Sequence, residues 1–143
     1  MSKRLQVTFD CADPAALSEF WAQATGYVLQ PPPQGYGSWE DFLTRNDIAE
    51  DRWNDASAIV DPDGTGPRIY FQRVPEGKEV KNRVHLDLNQ ATAGTPPEER
   101  RGLVDAEGER LQSIGATFVR RNDVGDEYWI VMQDPEGNEF CVQ

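Results

Sequence analysis

The chain has 143 residues, near the usual size of one domain, so we expect a single domain spanning residues 1–143. Its 25 acidic and 14 basic residues give a net charge of −11, which disfavours nucleic acid and anionic membrane surfaces as partners. There is no apolar signal region and no stretch of transmembrane length, and there are only two cysteines, so a cytoplasmic location is predicted.

The first predicted element is a strand near the N-terminus. Apolar and polar side chains alternate from Gln6 to Cys11, which is typical of a strand with one buried face. Its polar face carries Gln6, Thr8 and Asp10. Asp13 then supplies a helix N-cap, Pro14 suits the first turn and Gly26 supplies a stop, so a helix is predicted between them.

Residues 31–58 have no counterpart in the second half of the chain. Three successive prolines and two glycines open this insertion as a loop, and a helical pattern containing Trp39 and Trp53 follows. Long connections inside compact domains are often functional. The insertion is therefore predicted to form either a local mini-core or a lid over a cavity.

The second half of the chain repeats motifs of the first half in the same order. The matches are VTFD at 7–10 with VHLD at 84–87, and DPDG at 61–64 with DPEG at 134–137. His85, the only histidine, lies in the repeated strand. A second helix is predicted from the prolines at 96–97 to Gly115.

This repeat predicts an α+β protein built from two βαβββ modules, about residues 1–77 and 78–143, with the insertion in the first module. Because each helix must cover an apolar sheet face, the polar strand faces should lie on the other side of the sheet. We expect a curved mixed sheet around a cavity lined by these polar faces.

Three segments carry a resemblance to a known family: DCADPAALSEFWAQATGY at 10–27, NRVHLDL at 82–88 and DPEGNEFCV at 134–142. Together with the repeat, they resemble the vicinal oxygen chelate superfamily, in its glyoxalase-like and bleomycin-resistance-like branch. The resemblance implies the glyoxalase/bleomycin resistance/dioxygenase fold, a homodimer, and a small molecule bound in the cavity between the modules. The superfamily includes metal-dependent isomerases, dioxygenases, thiol transferases and metal-free antibiotic-sequestering proteins, so the fold alone does not select a function.

Metal-using members of the superfamily place ligands on the first and last strands of each module. Carried onto this sequence, those positions are Gln6, Gln72, His85 and Cys141. The expected ligands are mainly His and Glu, and only His85 matches well, since amides are weak ligands and a cysteine must ionise to bind soft ions. No metal or other cofactor is therefore favoured, and one divalent metal ion is the alternative.

Further candidate site residues lie on the polar strand faces. Asp87 follows His85 by two residues on the same face, so it can orient the imidazole, and Tyr70 could serve as a proton donor or acceptor in acid–base catalysis. Alternatively, His85 and Asp87 only satisfy each other. The residues predicted to bind a ligand are Gln6, Thr8, Asp10, Gln72, Trp39, Trp129 and Glu139.

These observations predict a protein that binds a small molecule. Antibiotic sequestration of the bleomycin-resistance type is the form that the resemblance implies, and the acidic residues favour a cationic ligand. The alternative is a metal-dependent lyase, isomerase or dioxygenase of the superfamily. The sequence therefore leaves open whether the protein is an enzyme.

Overall fold

The computed structural model describes all 143 residues, which form two compact units: unit 1 is Met1–Gly77 and unit 2 is Lys78–Gln143. Unit 1 contains β1 (Gln6–Cys11), α1 (Pro14–Thr25), β2 (Val28–Leu29), α2 (Trp39–Arg45), a short 3-10 helix (Glu50–Arg52), β3 (Ala56–Val60) and β4 (Arg68–Arg73). Unit 2 contains β5 (Asp87–Leu88), α3 (Pro97–Ser113), β6 (Thr117–Val124), β7 (Glu127–Gln133) and β8 (Glu139–Val142). No helix combines the length and apolar character that crossing a membrane requires.

The two units have the same sheet topology. The strand order is β1-β4-β3-β2 in unit 1 and β5-β8-β7-β6 in unit 2. In each sheet the first strand runs parallel to the last strand, and the other neighbours are antiparallel. The predicted α+β repeat of βαβββ modules is confirmed, and it is built as two four-stranded mixed sheets.

Helix α1 covers the apolar face of the unit 1 sheet. Asp13 accepts a hydrogen bond from Ala16 N at 3.1 Å, and Gly26 ends the helix in a left-handed conformation with φ of 76°. The buried apolar residues of α1 and of the strands beneath it include Leu17, Phe20, Trp21, Ile59, Ile69 and Phe71. The polar side chains of β1 lie on the other face of this sheet and are exposed, as the alternation predicts.

Helix α3 packs on β7 in unit 2. Val104 and Leu111 of the helix are fully buried, as is Ile130 on the strand. Gly108 lies at the closest approach, because a Cβ atom there would lie 3.0 Å from Ile130 Cδ1. The predicted second helix is therefore confirmed, and the glycine in its interior has a packing reason.

The strand predicted over residues 82–88 is shorter than expected. Only Asp87 and Leu88 pair with β8, and Val84, predicted to lie under a helix, is 81% exposed. Upstream, the backbone N–H of Asn82 donates to the Glu139 carboxylate at 2.9 Å. At the start of this segment a side chain, and not a neighbouring strand, thus binds the backbone.

The insertion is ordered by its own local hydrogen bonds. Ser38 caps α2 by accepting from Asp41 N at 3.0 Å, and β3 begins at Ala56, so the end of the insertion belongs to the sheet. No side chain of α2 is fully buried. Ring contacts join Phe42 to Tyr36 and to Trp39, with centroids 4.9 and 5.6 Å apart, and the choice between a mini-core and a lid stays a prediction.

Candidate functional site

A pocket of about 470 Å³ lies in unit 2, and we call it the histidine pocket. Its walls come from β5, β7, β8, the first turn of α3 and the loop before α3. The lining residues are His85, Asp87, Asn89, Ala91, Thr92, Ala93, Arg100, Glu127, Tyr128, Trp129, Cys141 and Gln143. This volume is within the range of small-molecule sites, roughly 300–1,000 Å³.

Strand register brings three chemically active side chains together in the histidine pocket. Asp87 on β5 pairs directly with Cys141 on β8, so both side chains lie on the same face of the sheet. His85 precedes Asp87 by two residues, and its Nδ1 lies 2.8 Å from the Asp87 carboxylate. One ligand atom from each of the three residues lies within 4.8 Å of the others. The predicted contact between His85 and Asp87 is present.

The hydrogen bond to Asp87 orients the imidazole of His85. When Nδ1–H donates to the carboxylate, Nε2 is left as an acceptor or as a metal ligand. The same arrangement occurs in sites where a histidine accepts a proton or binds a metal. It also occurs in pairs whose role is only structural. Tyr70, the third predicted member of an acid–base set, belongs to unit 1, and its part in such chemistry stays a prediction.

Cys141 is held in its protonated form. Burial of the thiol, and then the nearby Asp87 carboxylate, raise its pKa from the ordinary value of 9.0 to about 11. At neutral pH the side chain is therefore a weak nucleophile, because the thiolate is the reactive species. A bound cation would have to displace the thiol proton before the sulfur could bind it.

Glu139, predicted to bind a ligand, forms an ion pair and a hydrogen bond with other residues of unit 2. Its carboxylate lies 3.0 Å from Lys78 Nζ and accepts from Asn82 N at 2.9 Å. Burial by itself would raise the pKa of Glu139, but the hydrogen bonds from Asn82 and Lys78 outweigh it and lower the pKa to about 2. Glu139 does not line the histidine pocket, and its role in ligand binding stays a prediction.

The predicted site residues on the unit 1 sheet bind one another. Gln72 Nε2 donates to Asp10 at 2.7 Å, and Gln6 Nε2 lies 3.4 Å from Thr8 Oγ1. In the register of β1 and β4, Gln6 and Gln72 are four residues apart, about 13 Å along the strands. The oxygen of Gln6 accepts from the Arg68 guanidinium at 2.8 Å, and that positive charge opposes a cation. The structure does not bring these two amides together as ligands of one metal.

A larger cavity of about 630 Å³ lies in unit 1, between the insertion and the polar face of the sheet, and we call it the aromatic cavity. It contains two of the predicted site residues, Trp39 and Tyr70. Its lining residues are Ala15, Leu29, Gln30, Trp39, Phe42, Leu43, Ile48, Arg52, Trp53, Asn54, Asp55, Ala56, Ser57, Ala58, Arg68 and Tyr70.

Two charged residues of the histidine pocket were missed in the sequence. Glu127 precedes Trp129 by two residues on β7, so strand alternation could have placed both on one face. Arg100 comes from α3 and carries no sequence signal that points to a pocket. Its Nη2 donates to Thr95 O at 3.4 Å, while its Nε is buried without a hydrogen-bond partner.

The family follows from comparison of the sequence with known domains. The model of the family described as glyoxalase-like domain matches residues 6–143. The chain belongs to this glyoxalase-like family. The predicted resemblance to the vicinal oxygen chelate superfamily is confirmed. Comparison of the glyoxalase-like protein with curated protein sequences finds no match.

Solved structures share the fold of the glyoxalase-like protein at low sequence identity. A glyoxalase/bleomycin resistance protein/dioxygenase family enzyme from Burkholderia phytofirmans PsJN has a TM-score of 0.62 at 17% identity, over 96% of this chain and 94% of that one. A mutant of the fosfomycin resistance protein FosX from Listeria monocytogenes, complexed with Mn(II) and 1S,2S-dihydroxypropylphosphonic acid, has a TM-score of 0.62 at 13% identity, covering 100% and 90%. The bleomycin-binding protein from Streptomyces verticillus, complexed with copper(II)-bleomycin, has a TM-score of 0.54 at 12% identity, covering 100% and 96%.

The donor set of His85, Asp87 and Cys141 fits a divalent metal of intermediate softness. Nitrogen, oxygen and sulfur ligands from three side chains, with a fourth position open, are typical of catalytic zinc sites. If His85 Nδ1 and the Asp87 carboxylate both bound the ion, their 2.8 Å contact would have to lengthen, because tetrahedral geometry separates nitrogen and oxygen ligands by roughly 3.3 Å. With Nε2 as the ligand, the contact stays and orients the imidazole. The sulfur favours zinc-like or cobalt-like ions over hard ions such as Mg²⁺.

Proposed function

We propose that the glyoxalase-like protein binds a small organic molecule in the histidine pocket and sequesters it. The observation that carries the proposal is the His85–Asp87 pair beside Trp129 in a pocket of about 470 Å³. Similarity to the bleomycin-binding protein supports a sequestering role, because that protein was solved with copper(II)-bleomycin bound. Binding of this kind requires one molecule per chain and no turnover.

The charges of the histidine pocket favour a ligand with a cationic group. Two carboxylates, Asp87 and Glu127, outnumber the one guanidinium, that of Arg100, in a protein of net charge −11. Trp129 offers an aromatic wall, which attracts both apolar and cationic groups. Arg100 lines the pocket, and its guanidinium can donate to an acceptor on the ligand. The ligand class is therefore a cationic, partly aromatic molecule with a hydrogen-bond acceptor.

Three naphthalene probes test this ligand class, because they share one ring and carry a positive, a neutral and a negative group: 2-naphthylmethylammonium, 2-naphthamide and 2-naphthoate. We expect the ammonium probe to bind with a stoichiometry of one, measured by isothermal titration calorimetry. Asp87→Asn should weaken its binding about tenfold by removing a charge-assisted contact. The same substitution should leave the affinity for the neutral amide unchanged.

Glu109→Gln is the matched control for Asp87→Asn. Glu109 is exposed on α3 and does not line the histidine pocket, yet its substitution changes the net charge by the same amount. If Glu109→Gln weakened the ammonium probe as much as Asp87→Asn, the overall field of the protein and not the pocket would select the cation. That result, or a wild-type protein that does not bind the ammonium probe, would refute the proposal.

A second candidate function is that of a metal-dependent lyase, isomerase or dioxygenase. It rests on the approach of His85, Asp87 and Cys141 within 4.8 Å, and similarity to FosX complexed with Mn(II) supports it. A divalent ion held by these three side chains would act as a Lewis acid that polarises a substrate oxygen. Arg100 and Glu127 would then orient the substrate in the same pocket.

Cobalt(II) is the direct probe of this second candidate. We expect one equivalent of Co²⁺ to bind with a near-ultraviolet thiolate-to-cobalt absorption band, and Cys141→Ser to abolish the band. His85→Ala should weaken Co²⁺ binding at least about tenfold, because it removes the imidazole. Cys11→Ser is the control, since Cys11 is buried in the core of unit 1 and should leave the band intact. A wild-type protein without the band would exclude a metal site that includes Cys141 and leave the sequestering proposal standing.

A further inference from the structure

The aromatic cavity of unit 1 presents ring surfaces that the rest of the protein covers only in part. Trp39 is 40% exposed, and Phe42 and Trp53 are only half-buried, although all three line one cavity. Aromatic side chains normally contribute most when they are buried in a core. Apolar surface left open and rimmed by polar residues is instead typical of a binding site.

Hydrogen bonds hold these rings in place without a ligand. Trp39 Nε1 donates to Gln30 O at 2.7 Å, and Trp53 Nε1 donates to Ile48 O at 2.9 Å. The rings of Trp39 and Phe42 meet edge to face with centroids 5.6 Å apart. Because both indole N–H groups are already paired, the tryptophans offer a ligand only their apolar faces. The cavity is pre-organised for a flat, apolar group.

One cation in the cavity wall has no acidic partner. Arg68 Nε donates to Gln30 Oε1 at 2.6 Å, and its Nη1 donates to Gln6 Oε1 at 2.8 Å, so both acceptors are neutral amides. The guanidinium lies over the ring of Tyr70, 5.0 Å from the ring centroid. Since arginine has five N–H donors, three of them remain for a ligand.

The other charged groups of the cavity do not neutralise Arg68. Asp55, the only carboxylate in the lining, lies 3.1 Å from Arg52 and 3.7 Å from Arg73. Two guanidinium groups therefore already share this one carboxylate. The cavity is locally positive in a protein whose net charge is −11, and this favours an anionic ligand group.

We propose that the aromatic cavity binds a planar aromatic carboxylate, with Arg68 binding the carboxylate while Trp39 and Tyr70 contact the ring. Guanidinium and carboxylate form bidentate, charge-assisted hydrogen bonds, and the half-buried position of Arg68 strengthens them relative to open water. This inference goes beyond the proposed function, because the unit, the residues and the charge of the ligand all differ.

The same naphthalene probes test the inference by calorimetry. We expect 2-naphthoate to bind wild-type protein at least about tenfold more tightly than 2-naphthamide. Arg68→Gln should abolish this preference without changing the affinity for the amide. Arg52→Gln, the matched control, removes a lining arginine that already has an acidic partner, and the preference should survive. Trp39→Leu should weaken both probes equally, because it removes the apolar wall and leaves the charge.

Several outcomes would overturn the inference: no binding of 2-naphthoate, equal affinity for acid and amide, or a preference that survives Arg68→Gln. Should Arg68→Gln fail to fold, as judged by circular dichroism, Arg68→Lys replaces it and should lose part of the preference. Asp87→Asn separates the two sites, because removing this carboxylate would strengthen the binding of an anion in the histidine pocket. If the substitution raised the affinity for 2-naphthoate, the assignment to the aromatic cavity would be wrong. Failure of the ammonium probe in the histidine pocket has no bearing on this result.

Discussion

Replacing Trp21 with alanine is expected to lower the free energy of unfolding by about 3–5 kcal/mol. Trp21 is 1% exposed, and its ring lies 5.1 Å from that of Phe9 and 5.5 Å from that of Phe20. Deleting the indole removes a large buried apolar surface and leaves a cavity between α1 and the sheet. A single domain is typically stable by about 5–15 kcal/mol, so the loss is a large share of the total. Urea denaturation followed by far-ultraviolet circular dichroism measures it.

Trp39→Ala is the matched control, because it removes the same side chain from the open wall of the aromatic cavity. We expect it to cost less than about 1 kcal/mol, as surface substitutions usually do. Trp21→Phe should fall between the two, since it keeps one ring in the core. Equal losses for Trp21→Ala and Trp39→Ala would show that the insertion is packed as a mini-core, and would remove the basis for a ligand in the aromatic cavity.

The repeated architecture could be predicted from the sequence because its signals are local. Alternation in β1 identified which strand face lies under the helix, and the Asp13 cap with Gly26 at the other end set the limits of α1. The DP-x-G turns then placed the last strand of each module. Such signals extend over a few residues, so they can be recognised without knowledge of the tertiary structure.

The contact of His85 with Asp87 could also be predicted, because two residues on one strand share a face. The approach of Cys141 to Asp87 depends on the parallel register of β5 and β8, which join residues far apart in the chain. The resemblance to the superfamily supplied Cys141 as a possible ligand but not Asp87 beside it. The residues of β5 that lie beside those of β8 are fixed only by the tertiary structure. The sequence alone therefore does not show that Cys141 joins His85 and Asp87.

The aromatic cavity could not be predicted from the sequence, for a different physical reason. Apolar residues at helical spacing in the insertion are equally compatible with a packed core and an open wall. Which of these two forms is adopted depends on the hydrogen bond from Trp39 to Gln30 O and on the position of α2 over the sheet. Arg68 shares a strand face with Tyr70, but its lack of an acidic partner depends on Gln6 and Gln30, which come from other strands and loops.

Replacing Asp134 with alanine is expected to lower the free energy of unfolding by roughly 2–4 kcal/mol. Asp134 is 2% exposed, and its carboxylate accepts from Glu136 N at 2.9 Å, from Asn138 N at 3.0 Å and from Asn138 Nδ2 at 2.9 Å. Alanine leaves these donors without an acceptor in a turn that joins β7 to β8. Because β8 carries Cys141, the same substitution should also weaken the binding of Co²⁺ or of the ammonium probe. Urea denaturation and calorimetry measure the two effects.

Asp61→Ala provides the comparison, since Asp61 has the same place in the first DP-x-G turn but is less buried than Asp134. Its carboxylate accepts from Gly66 N at 2.7 Å, Asp63 N at 3.0 Å and Thr65 N at 3.0 Å, with the Gly66 bond as the main cause of a pKa lowered from 3.8 to about 2. A lowered carboxyl pKa stabilises the fold above about pH 4, and this contribution is lost as the pH falls towards 2. Water reaches Asp61 more easily than Asp134, so Asp61→Ala should cost less than Asp134→Ala at pH 7, and its cost should shrink as the pH falls towards 2. A larger loss from Asp61→Ala than from Asp134→Ala would show that burial does not decide the cost of these turns.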